Sequence, residues 1–343
     1  MIGYEVDIVY IATKAHAKKL YLIPPLVLKR DIAASKNLEE LTSYLHLTYY
    51  RDELMALGKV SLGELIKVFK KVFCERVKSF VDLLPRKFRR FMEQYLMLFD
   101  IESVIEILAE KMGGRKHREI EYYAYPFSRV DFEYLLSEGD LESSVLALMG
   151  PPLYLSRETV DMWTKYRSLY IIELGLLREY YIRLLEILNK MPSDEAEALR
   201  EIIGVEVDTA NISIIVGPML YGYSPEIALK MLIPYTYKVS LSSLKEAYGL
   251  EAKVLTKLVP EEYRDVVENL LAGNDVLAKC LTYRLILRRI KSILPRYPVS
   301  FAFVFGVIKL FEFEYRNLRL IAECIEGGLS PAEISSLLIV DEP

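Results

Sequence analysis

Two pairs of polar residues have the spacing that could place chemical groups together on a helix. Asp208 precedes Asn211 and Glu314 precedes Asn317, so each pair sets a carboxylate and an amide on one helical face at positions i and i+3. A general acid or base would need a partner group in a cleft, whereas the recurrence of the pair favours architecture. We therefore predict that these groups satisfy backbone donors at turns or helix ends, with catalysis as the less favoured alternative.

The other residues that could ligate a metal or attack a substrate have no recognisable arrangement. The chain has three histidines and three cysteines, at His16, His46, His117, Cys74, Cys280 and Cys324, and none has the spacing of metal ligands. Glycine-rich phosphate loops are absent, and the stretch Gly113 to Arg118 is more typical of an exposed basic loop than of a phosphate site. We predict no metal, no cofactor and no enzymatic activity, and buried, unreactive thiols in a reducing compartment.

Composition and charge are those of a globular protein. Apolar residues make up 52% and charged residues 27% of the 343 residues, which fits a packed chain rather than a disordered or membrane-spanning one. The net charge of -4 argues against a nucleic-acid partner, which usually requires a basic excess. The N-terminus lacks the features of a secretion signal, and the most apolar stretch, Val299 to Ile308, is too short to span a membrane. We expect a cytoplasmic protein in which that stretch is a buried helix.

Helical periodicity dominates the chain. Apolar residues step by three or four over Phe69, Phe73, Val77, Phe80 and Leu84, which predicts an amphipathic helix that Pro85 ends. The stretch from Tyr154 to Asn189 contains no proline, which predicts one helix of roughly 50 Å. A third long helical region is expected between Pro260 and Pro295.

An internal repeat organises these helices. The segments Asp208-Thr-Ala-Asn211-Ile, Gly222-Tyr-Ser-Pro225-Glu and Leu232-Ile-Pro234 recur, 106 positions later, as Glu314-Tyr-Arg-Asn317-Leu, Gly328-Leu-Ser-Pro331-Ala and Leu338-Ile-Val340. A weaker copy, offset by 108, begins at Asp100-Ile-Glu-Ser103 and ends at Pro126. In the Gly-x-Ser-Pro segment, glycine is expected to end one helix, serine to cap the next and proline to occupy its first turn.

The repeat predicts an all-α protein of three related modules. Their extents are 37–128, 129–237 and 238–343, with residues 1–36 as an added half-module that carries a further degenerate copy. A capping residue opens each module, at Asn37, Asp131 and Ser240. A near-three-fold arrangement of such modules would leave a central concavity.

The C-terminal module resembles a known family. The stretches Pro298-Val-Ser-Phe-Ala-Phe-Val-Phe-Gly306, Glu312-Phe-Glu314-Tyr-Arg-Asn317-Leu-Arg319 and Gly328-Leu-Ser-Pro331-Ala-Glu333-Ile are similar, in this order, to the closing signature of the C subunit of archaeal A-type ATPases and the d subunit of V-type ATPases. With the repeat and the length, the resemblance covers essentially the whole chain. It departs where Gly217 and Pro218 occupy a region that often holds an arginine, and where Ser103 replaces the amide.

The resemblance implies a non-catalytic rotor component. Members form a funnel-shaped socket that sits on the cytoplasmic mouth of the membrane-embedded proteolipid ring and receives the tip of the central-stalk shaft, as a peripheral membrane protein. From the recurrence of the pairs we predict structural roles at module junctions for Asp100, Asp208, Asn211, Glu314, Asn317 and Arg319, with a shaft-binding surface as the alternative role for the acid and amide pairs.

Two other functions are compatible with an all-helical chain. A helical-repeat adaptor would bind a protein partner in its concave face. A prenyl-diphosphate enzyme would need an aspartate-rich motif for metal and diphosphate, and the sequence has none.

Overall fold

The computed structural model describes residues 2–115, 118–137, 139–248 and 252–341. Throughout these ranges the secondary structure is helical and contains no strand, which confirms the all-α prediction. The α-helices are α1 (Ile2–Lys19), α2 (Pro25–Val27), α3 (Leu38–Leu45), α4 (Arg51–Met55), α5 (Leu62–Val81), α6 (Arg86–Met112), α7 (Ile120–Tyr123), α8 (Phe132–Ser137), α9 (Leu141–Ala147), α10 (Arg157–Tyr166), α11 (Leu169–Leu188), α12 (Ser193–Leu220), α13 (Pro225–Met231), α14 (Leu241–Ala247), α15 (Ala252–Leu258), α16 (Arg264–Leu271), α17 (Asp275–Arg296), α18 (Phe301–Glu326) and α19 (Pro331–Ser336). A π-helical turn at Leu28–Ile32 and a 3-10 turn at Glu261–Tyr263 complete the set.

The helices pack into two compact units. The first combines Met1–Arg86, Ser193–Val205 and Ala272–Pro343, and the second combines Lys87–Pro192 and Glu206–Leu271. Each unit is therefore assembled from segments that are distant in the chain.

The first unit has its core between α5 and α18, with α1 and α17 also packed on α18. Phe73 stacks on Tyr315 with ring centroids 5.1 Å apart, and Phe80 stacks on Phe311 at 6.3 Å. The periodicity predicted for α5 is confirmed, although the helix ends at Val81 and so stops before the proline. Each of these buried aromatic side chains contributes about 2 kcal/mol through the area it removes from water.

Helix α18 contains the most apolar stretch of the chain. Its residues from Phe301 to Ile308 are buried, as predicted, whereas Val299, the first residue of the predicted stretch, precedes the helix and is 55% exposed. The Ser300 hydroxyl accepts from the Phe303 N–H, and the Glu195 carboxylate accepts from the N–H groups of Phe301 and Ala302 at 2.9 Å each. A carboxylate at this position also interacts favourably with the positive end of the helix dipole.

One helix of the described part of the chain, Ser193–Leu220, is long and apolar enough to cross a membrane by length and composition. In the folded protein, 78% of its most apolar window is buried. That burial is typical of a core helix.

The predicted single helix from Tyr154 to Asn189 is wrong, because the chain breaks near Arg167. Helix α10 ends at Tyr166, and Arg167 adopts the left-handed conformation with φ 51° while its N–H bonds the Trp163 carbonyl. The break lets α10 fold back against α11. At their contact Gly175 leaves room for Thr159, whose side chain occupies the space that a Cβ would fill.

The third predicted helical region is also divided. Gly273, with φ 74°, separates α16 from α17. Helix α17 then continues through Pro295 to Arg296, one residue beyond the predicted limit. A proline at this site removes only one backbone donor near the end of the helix.

The three capping residues predicted to open the modules all accept hydrogen bonds. The pairs are Asn37 with the Glu40 N–H at 2.8 Å, Asp131 with the Tyr134 N–H at 2.9 Å, and Ser240 with the Ser243 N–H at 3.4 Å. The predicted Gly-x-Ser-Pro turns also form: Gly222 and Gly328 have φ 69° and 75°, and proline opens each following helix. Ser330 forms a full capping box with Glu333, whereas the Ser224 side chain makes no capping bond.

Candidate functional site

The Asp208 carboxylate lies on α12 and is completely buried. It accepts hydrogen bonds from the backbone N–H groups of Tyr237 at 2.8 Å, Lys238 at 2.7 Å and Val239 at 3.1 Å. The Tyr263 hydroxyl donates a fourth, at 3.0 Å. One side chain thus fixes the segment that leads into α14. Burial raises the pKa of Asp208 above its usual value, although these hydrogen bonds act in the opposite direction.

Asn211, one helical turn later, is equally buried and holds the same segment farther upstream. Its side-chain N–H group donates to the carbonyls of Ile233 at 3.2 Å and Tyr235 at 2.9 Å. Its carbonyl oxygen accepts from the Ile233 N–H at 2.8 Å. The amide uses both its donor and its acceptor, which a residue with only one kind of group could not do.

Asn317 makes the corresponding contacts in the third copy. Its side-chain N–H group donates to the Ile339 carbonyl at 3.1 Å, and its oxygen accepts from the Ile339 N–H at 2.7 Å. Ile339 follows Ile233 by the repeat offset, and in both copies the asparagine lies 22 residues before the isoleucine it holds. The same hydrogen bond between asparagine and isoleucine therefore forms in both copies, with the same separation along the chain.

Glu314 differs from Asp208 in what it holds, because its partners come from the beginning of the chain. It accepts from the Ile23 N–H at 2.6 Å, from the Tyr50 hydroxyl at 3.0 Å and from the Arg76 guanidinium at 2.5 Å. The side chains of Arg76 and Glu314 are only 3% and 4% exposed, so this is a buried ion pair.

Aromatic rings and a backbone carbonyl surround the Arg76 guanidinium. It lies 4.5 Å from the ring centroid of Tyr49 and 4.8 Å from that of Phe311, and its second terminal nitrogen donates to the Tyr21 carbonyl at 3.4 Å. Ring faces stabilise a desolvated cation. Burial first, and the neighbouring Glu314 carboxylate next, raise the pKa of Tyr50 well above its usual value, so its hydroxyl remains a donor.

In the first copy, Ser103 stands where the other two copies have an asparagine, and its side chain is shorter. Asp100, only 1% exposed, accepts from the Ser128 hydroxyl at 2.5 Å and from the Arg129 N–H at 3.0 Å. Ser103 donates to the Tyr123 carbonyl at 2.8 Å. The Ser128 hydroxyl in turn accepts from the Tyr125 N–H at 2.8 Å, so a second serine supplies the acceptor that asparagine provides in the other copies.

Arg319, the last of the predicted residues, lies near the C-terminal end of α18. It forms an ion pair with Glu323, one turn along the same helix, at 2.7 Å, and its side chain is 34% exposed. This contact is local to the helix surface.

Two arginines that the sequence motifs did not include complete the repeated contacts. The Arg178 Nε donates to the Leu232 carbonyl at 3.3 Å, and the Arg284 Nε donates to the Leu338 carbonyl at 2.8 Å. The two arginines are themselves separated by the repeat offset, and each holds the residue just before the isoleucine that asparagine binds. Extending the 106-residue comparison upstream of Asp208 would have found them.

We refer to the three constellations around Asp100, Asp208 and Glu314 as the carboxylate clamps. Within the described residues, no group of three or more His, Cys, Asp or Glu is arranged to hold a metal ion. Each clamp consists of a buried acceptor whose partners are donors of the protein itself. The geometry is suited to holding chain segments together.

A sequence model described as the ATP synthase (C/AC39) subunit matches residues 11–337. This chain belongs to that family. The match confirms the resemblance noted in the sequence, and it spans all three carboxylate clamps.

Individual relatives support the same membership. The C subunit of the A-type ATP synthase from Pyrococcus abyssi is 22% identical over 325 residues, which cover 90% of this chain and 84% of the relative. The protein of the same name from Desulfurococcus sp. strain SY is 25% identical over 322 residues, with the same coverage. That of Methanocaldococcus jannaschii is 22% identical over 345 residues, covering 96% and 86%.

The site at which the sequence departs from the C/AC39 pattern has a local explanation in α12. A Cβ on Gly217 would overlap the hydroxyl oxygen of Tyr170 and lie 2.5 Å from its Cζ atom. The Tyr170 hydroxyl donates to the Ser213 carbonyl at 3.1 Å. That carbonyl lies next to Ile214, whose usual helical donor is missing because Pro218 has no N–H. The glycine makes room for a tyrosine that supports the helix near its proline.

Proposed function

We propose that this protein is a non-catalytic subunit of a rotary ATP synthase or ATPase that couples the central shaft to the membrane-embedded proteolipid ring. Membership of the ATP synthase (C/AC39) subunit family and the names of the relatives support its place in such a complex. The observation that carries the finer proposal is the clamp at Glu314, where the last module holds the first part of the chain.

The second and third clamps are consistent with a ring of modules. Asp208, in the module 129–237, accepts from Tyr263 in the module 238–343. Glu314, in the last module, accepts from Tyr50 in the module 37–128. Tyr50 precedes Tyr263 by 213 residues, which is two repeat lengths within one residue. Three modules of which the last binds the first would form a closed, pseudo-three-fold socket.

The proposed role of Asp100, Asp208 and Glu314 is to join modules rather than to contact substrate. Asn211 and Asn317 would hold the closing segment of their own modules, and Arg319 would support α18 through its pair with Glu323. A subunit that transmits torque between two partners must itself deform little under the load. Long helices packed at the density of protein interiors resist such deformation, and buried clamps at the junctions would keep the modules from sliding. The socket would receive the tip of the shaft and sit on the cytoplasmic side of the proteolipid ring, as a peripheral protein.

Deleting the gene in a cell that carries the complex tests this role. We expect ATP hydrolysis by the catalytic head to persist and ATP-driven ion transport into membrane vesicles to disappear, with both recovered on adding back the protein. Loss of all hydrolysis by detached heads would contradict a coupling role. Recovery of the tagged protein with unrelated partners, and not with ATPase subunits, would instead favour the helical-repeat adaptor.

A further inference from the structure

The connection between α1 and α2, together with α2 itself, exposes several apolar side chains. Leu20 is 81% exposed and Leu26 is 66% exposed, and Pro24 and Pro25 between them are exposed as well. Isolated apolar side chains on a surface need no explanation. Two exposed leucines and two exposed prolines within the connection and the α2 that follows it are, however, more than isolated side chains, and exposed apolar patches mark contact sites.

Two tyrosines extend this patch. The rings of Tyr21 and Tyr49 lie 5.8 Å apart, and the two residues are 56% and 40% exposed. The Lys18 ammonium lies 5.8 Å from the Tyr21 ring centroid and 5.4 Å from that of Tyr49. Two aromatic rings and a lysine therefore share one exposed surface, and Leu20 directly precedes Tyr21 in the chain.

The segment that carries the patch is basic although the protein as a whole is acidic. Between Ile8 and Lys36 the basic residues are Lys14, Lys18, Lys19, Lys29, Arg30 and Lys36, whereas the acidic residue is Asp31, and the whole chain carries a net charge of -4. Asp31 is bonded to Arg30 at 2.8 Å, and Arg30 remains 69% exposed. Lys14 donates to the Ser79 carbonyl and Lys19 lies over the Phe303 ring, so the basic residues of the patch are Lys18, Lys29 and Arg30.

The patch rests on a fixed base. The Tyr21 carbonyl accepts from Arg76, and the Ile23 N–H donates to Glu314, so the buried ion pair holds the backbone on the C-terminal side of Leu20. The side chains at the tip are presented by an ordered turn. An ordered turn loses little conformational entropy when it binds a surface.

We propose that this surface, formed by Lys18, Leu20, Tyr21, Leu26, Lys29, Arg30 and Tyr49, binds an anionic lipid membrane. Leucines enter the boundary between headgroups and acyl chains, tyrosines are enriched at that depth, and lysine and arginine attract anionic headgroups. An acidic protein loop would satisfy the basic residues but would leave Leu20 and Leu26 in water. The proposal concerns lipid and is independent of the coupling role proposed above.

Co-sedimentation of the full chain with vesicles tests the proposal. We expect binding to vesicles of equal parts phosphatidylcholine and phosphatidylglycerol, weak binding to phosphatidylcholine alone, and release as the salt concentration rises. The double variant Leu20→Ser/Leu26→Ser should bind at least about tenfold more weakly, because two exposed leucines no longer enter the bilayer. Lys29→Glu/Arg30→Glu should weaken binding by a similar factor, about tenfold or more.

Matched variants elsewhere on the surface provide the control. Leu146 and Leu229 are 45% and 39% exposed, so Leu146→Ser/Leu229→Ser removes the same chemical groups. Lys190→Glu/Lys257→Glu removes the same charges at exposed positions. Both controls should bind vesicles like the wild type, and circular dichroism and thermal unfolding should show that all variants fold.

The outcomes separate lipid from protein. The proposal would be overturned if the wild-type protein did not sediment with anionic vesicles, or if the patch variants sedimented with them as much as the wild type does. A wild type that binds no vesicle but is captured, in a Leu20- and Leu26-dependent way, by the proteolipid ring in detergent would also overturn it, since the occupant would then be a protein. Vesicle binding without recovery of ATPase subunits would leave the lipid proposal standing and contradict the coupling role alone.

Discussion

The Glu314 carboxylate accepts a hydrogen bond from the Tyr50 hydroxyl at 3.0 Å, although 264 residues separate the two in the sequence. Asp208, the preceding copy of the same acid, accepts from the hydroxyl of Tyr263, only 55 residues downstream. A translation of one repeat along the chain relates the two acids but not their tyrosines, because Tyr263 follows Asp208 whereas Tyr50 precedes Glu314. The third clamp finds its tyrosine at the beginning of the chain instead.

Replacing Arg76 by methionine tests how strongly this contact joins the ends of the chain. The substitution leaves Glu314 buried without its cation, and breaking a buried pair in this way costs about 3–5 kcal/mol. We expect the free energy of unfolding, measured in urea by circular dichroism, to fall by about that amount. The double variant Arg76→Met/Glu314→Gln removes both charges and should recover much of the loss.

Lys71→Met is the matched control for this experiment. Lys71 is on the same helix and pairs with Glu53 at 2.6 Å, but its side chain is 54% exposed. An exposed ion pair contributes at most about 1 kcal/mol. Equal effects of Arg76→Met and Lys71→Met would show that the buried pair has no special role.

Asn211 should be more costly to remove than the serine that replaces it in the first copy. Asn211→Ala leaves the buried N–H and carbonyl of Ile233 and the part-buried carbonyl of Tyr235 without their side-chain partner, and each unsatisfied buried group costs about 1–3 kcal/mol. We expect a loss of at least about 2 kcal/mol in urea unfolding, against about 1 kcal/mol for Ser103→Ala, which removes one bond. A larger loss of stability for Ser103→Ala than for Asn211→Ala would contradict the conclusion that the asparagine side chain stabilises its segment more strongly.

The helices and the repeat could be predicted from the sequence because both depend on local patterns. Burial of Phe69 and Phe73 follows from their spacing, and the contact of Asn317 with Ile339 follows from that of Asn211 with Ile233. The break at Arg167 could not be predicted, since the left-handed conformation there is adopted by an arginine, and glycine or asparagine is the usual signal.

The partners of Glu314 were equally inaccessible to a reading of the sequence. Nothing near Ile23 or Arg76 marks them as partners of a residue more than 200 positions away. The burial of Arg76 could not be predicted from its residue type, because arginine is usually exposed on a helix surface. Such contacts depend on the tertiary fold, and a local sequence pattern carries no information about which distant residues the fold brings together.

The raised pKa of Asp208 predicts a specific dependence of stability on pH. Since burial raises the pKa in the folded protein, the folded state binds more protons than the unfolded state between the usual and the raised pKa. The contribution of Asp208 to stability is therefore greatest below its usual pKa and falls as pH rises through that window. Asp208→Asn removes the titration, so the slope of stability against pH should become less negative than in the wild type. Identical slopes in urea titrations over the acidic range would contradict the prediction.

The cysteines should be unreactive in the folded protein. Burial raises the pKa of the Cys74 thiol to about 12 and also raises the pKa of Cys280 and Cys324. The thiolate is the reactive form, so a disulfide reagent at pH 8 should label no cysteine in the native state and three after unfolding in guanidinium. A Lys190→Cys variant provides an exposed thiol as the positive control. Rapid labelling of the native wild type would contradict the prediction.

Gly217 and Tyr170 provide a test in which the effect of one substitution on stability should depend on the other residue. Alanine at 217 gains up to about 1 kcal/mol of helix propensity, but its Cβ would overlap the Tyr170 hydroxyl, and forced overpacking costs about 1–3 kcal/mol. We expect Gly217→Ala to destabilise the wild type and to become neutral or stabilising in a Tyr170→Ala background.

Gly63 is the control, because it is a helical glycine at which a glycine-to-alanine substitution meets no neighbouring atom. Gly63 lies in the first turn of α5, and a Cβ there would meet nothing within 4 Å, so Gly63→Ala should stabilise by up to about 1 kcal/mol. Thermal unfolding of the four variants and the wild type gives the coupling between the two positions, since Tyr170→Ala alone completes the double-mutant cycle. If Gly217→Ala has the same effect with and without Tyr170, the glycine is not retained to accommodate the tyrosine.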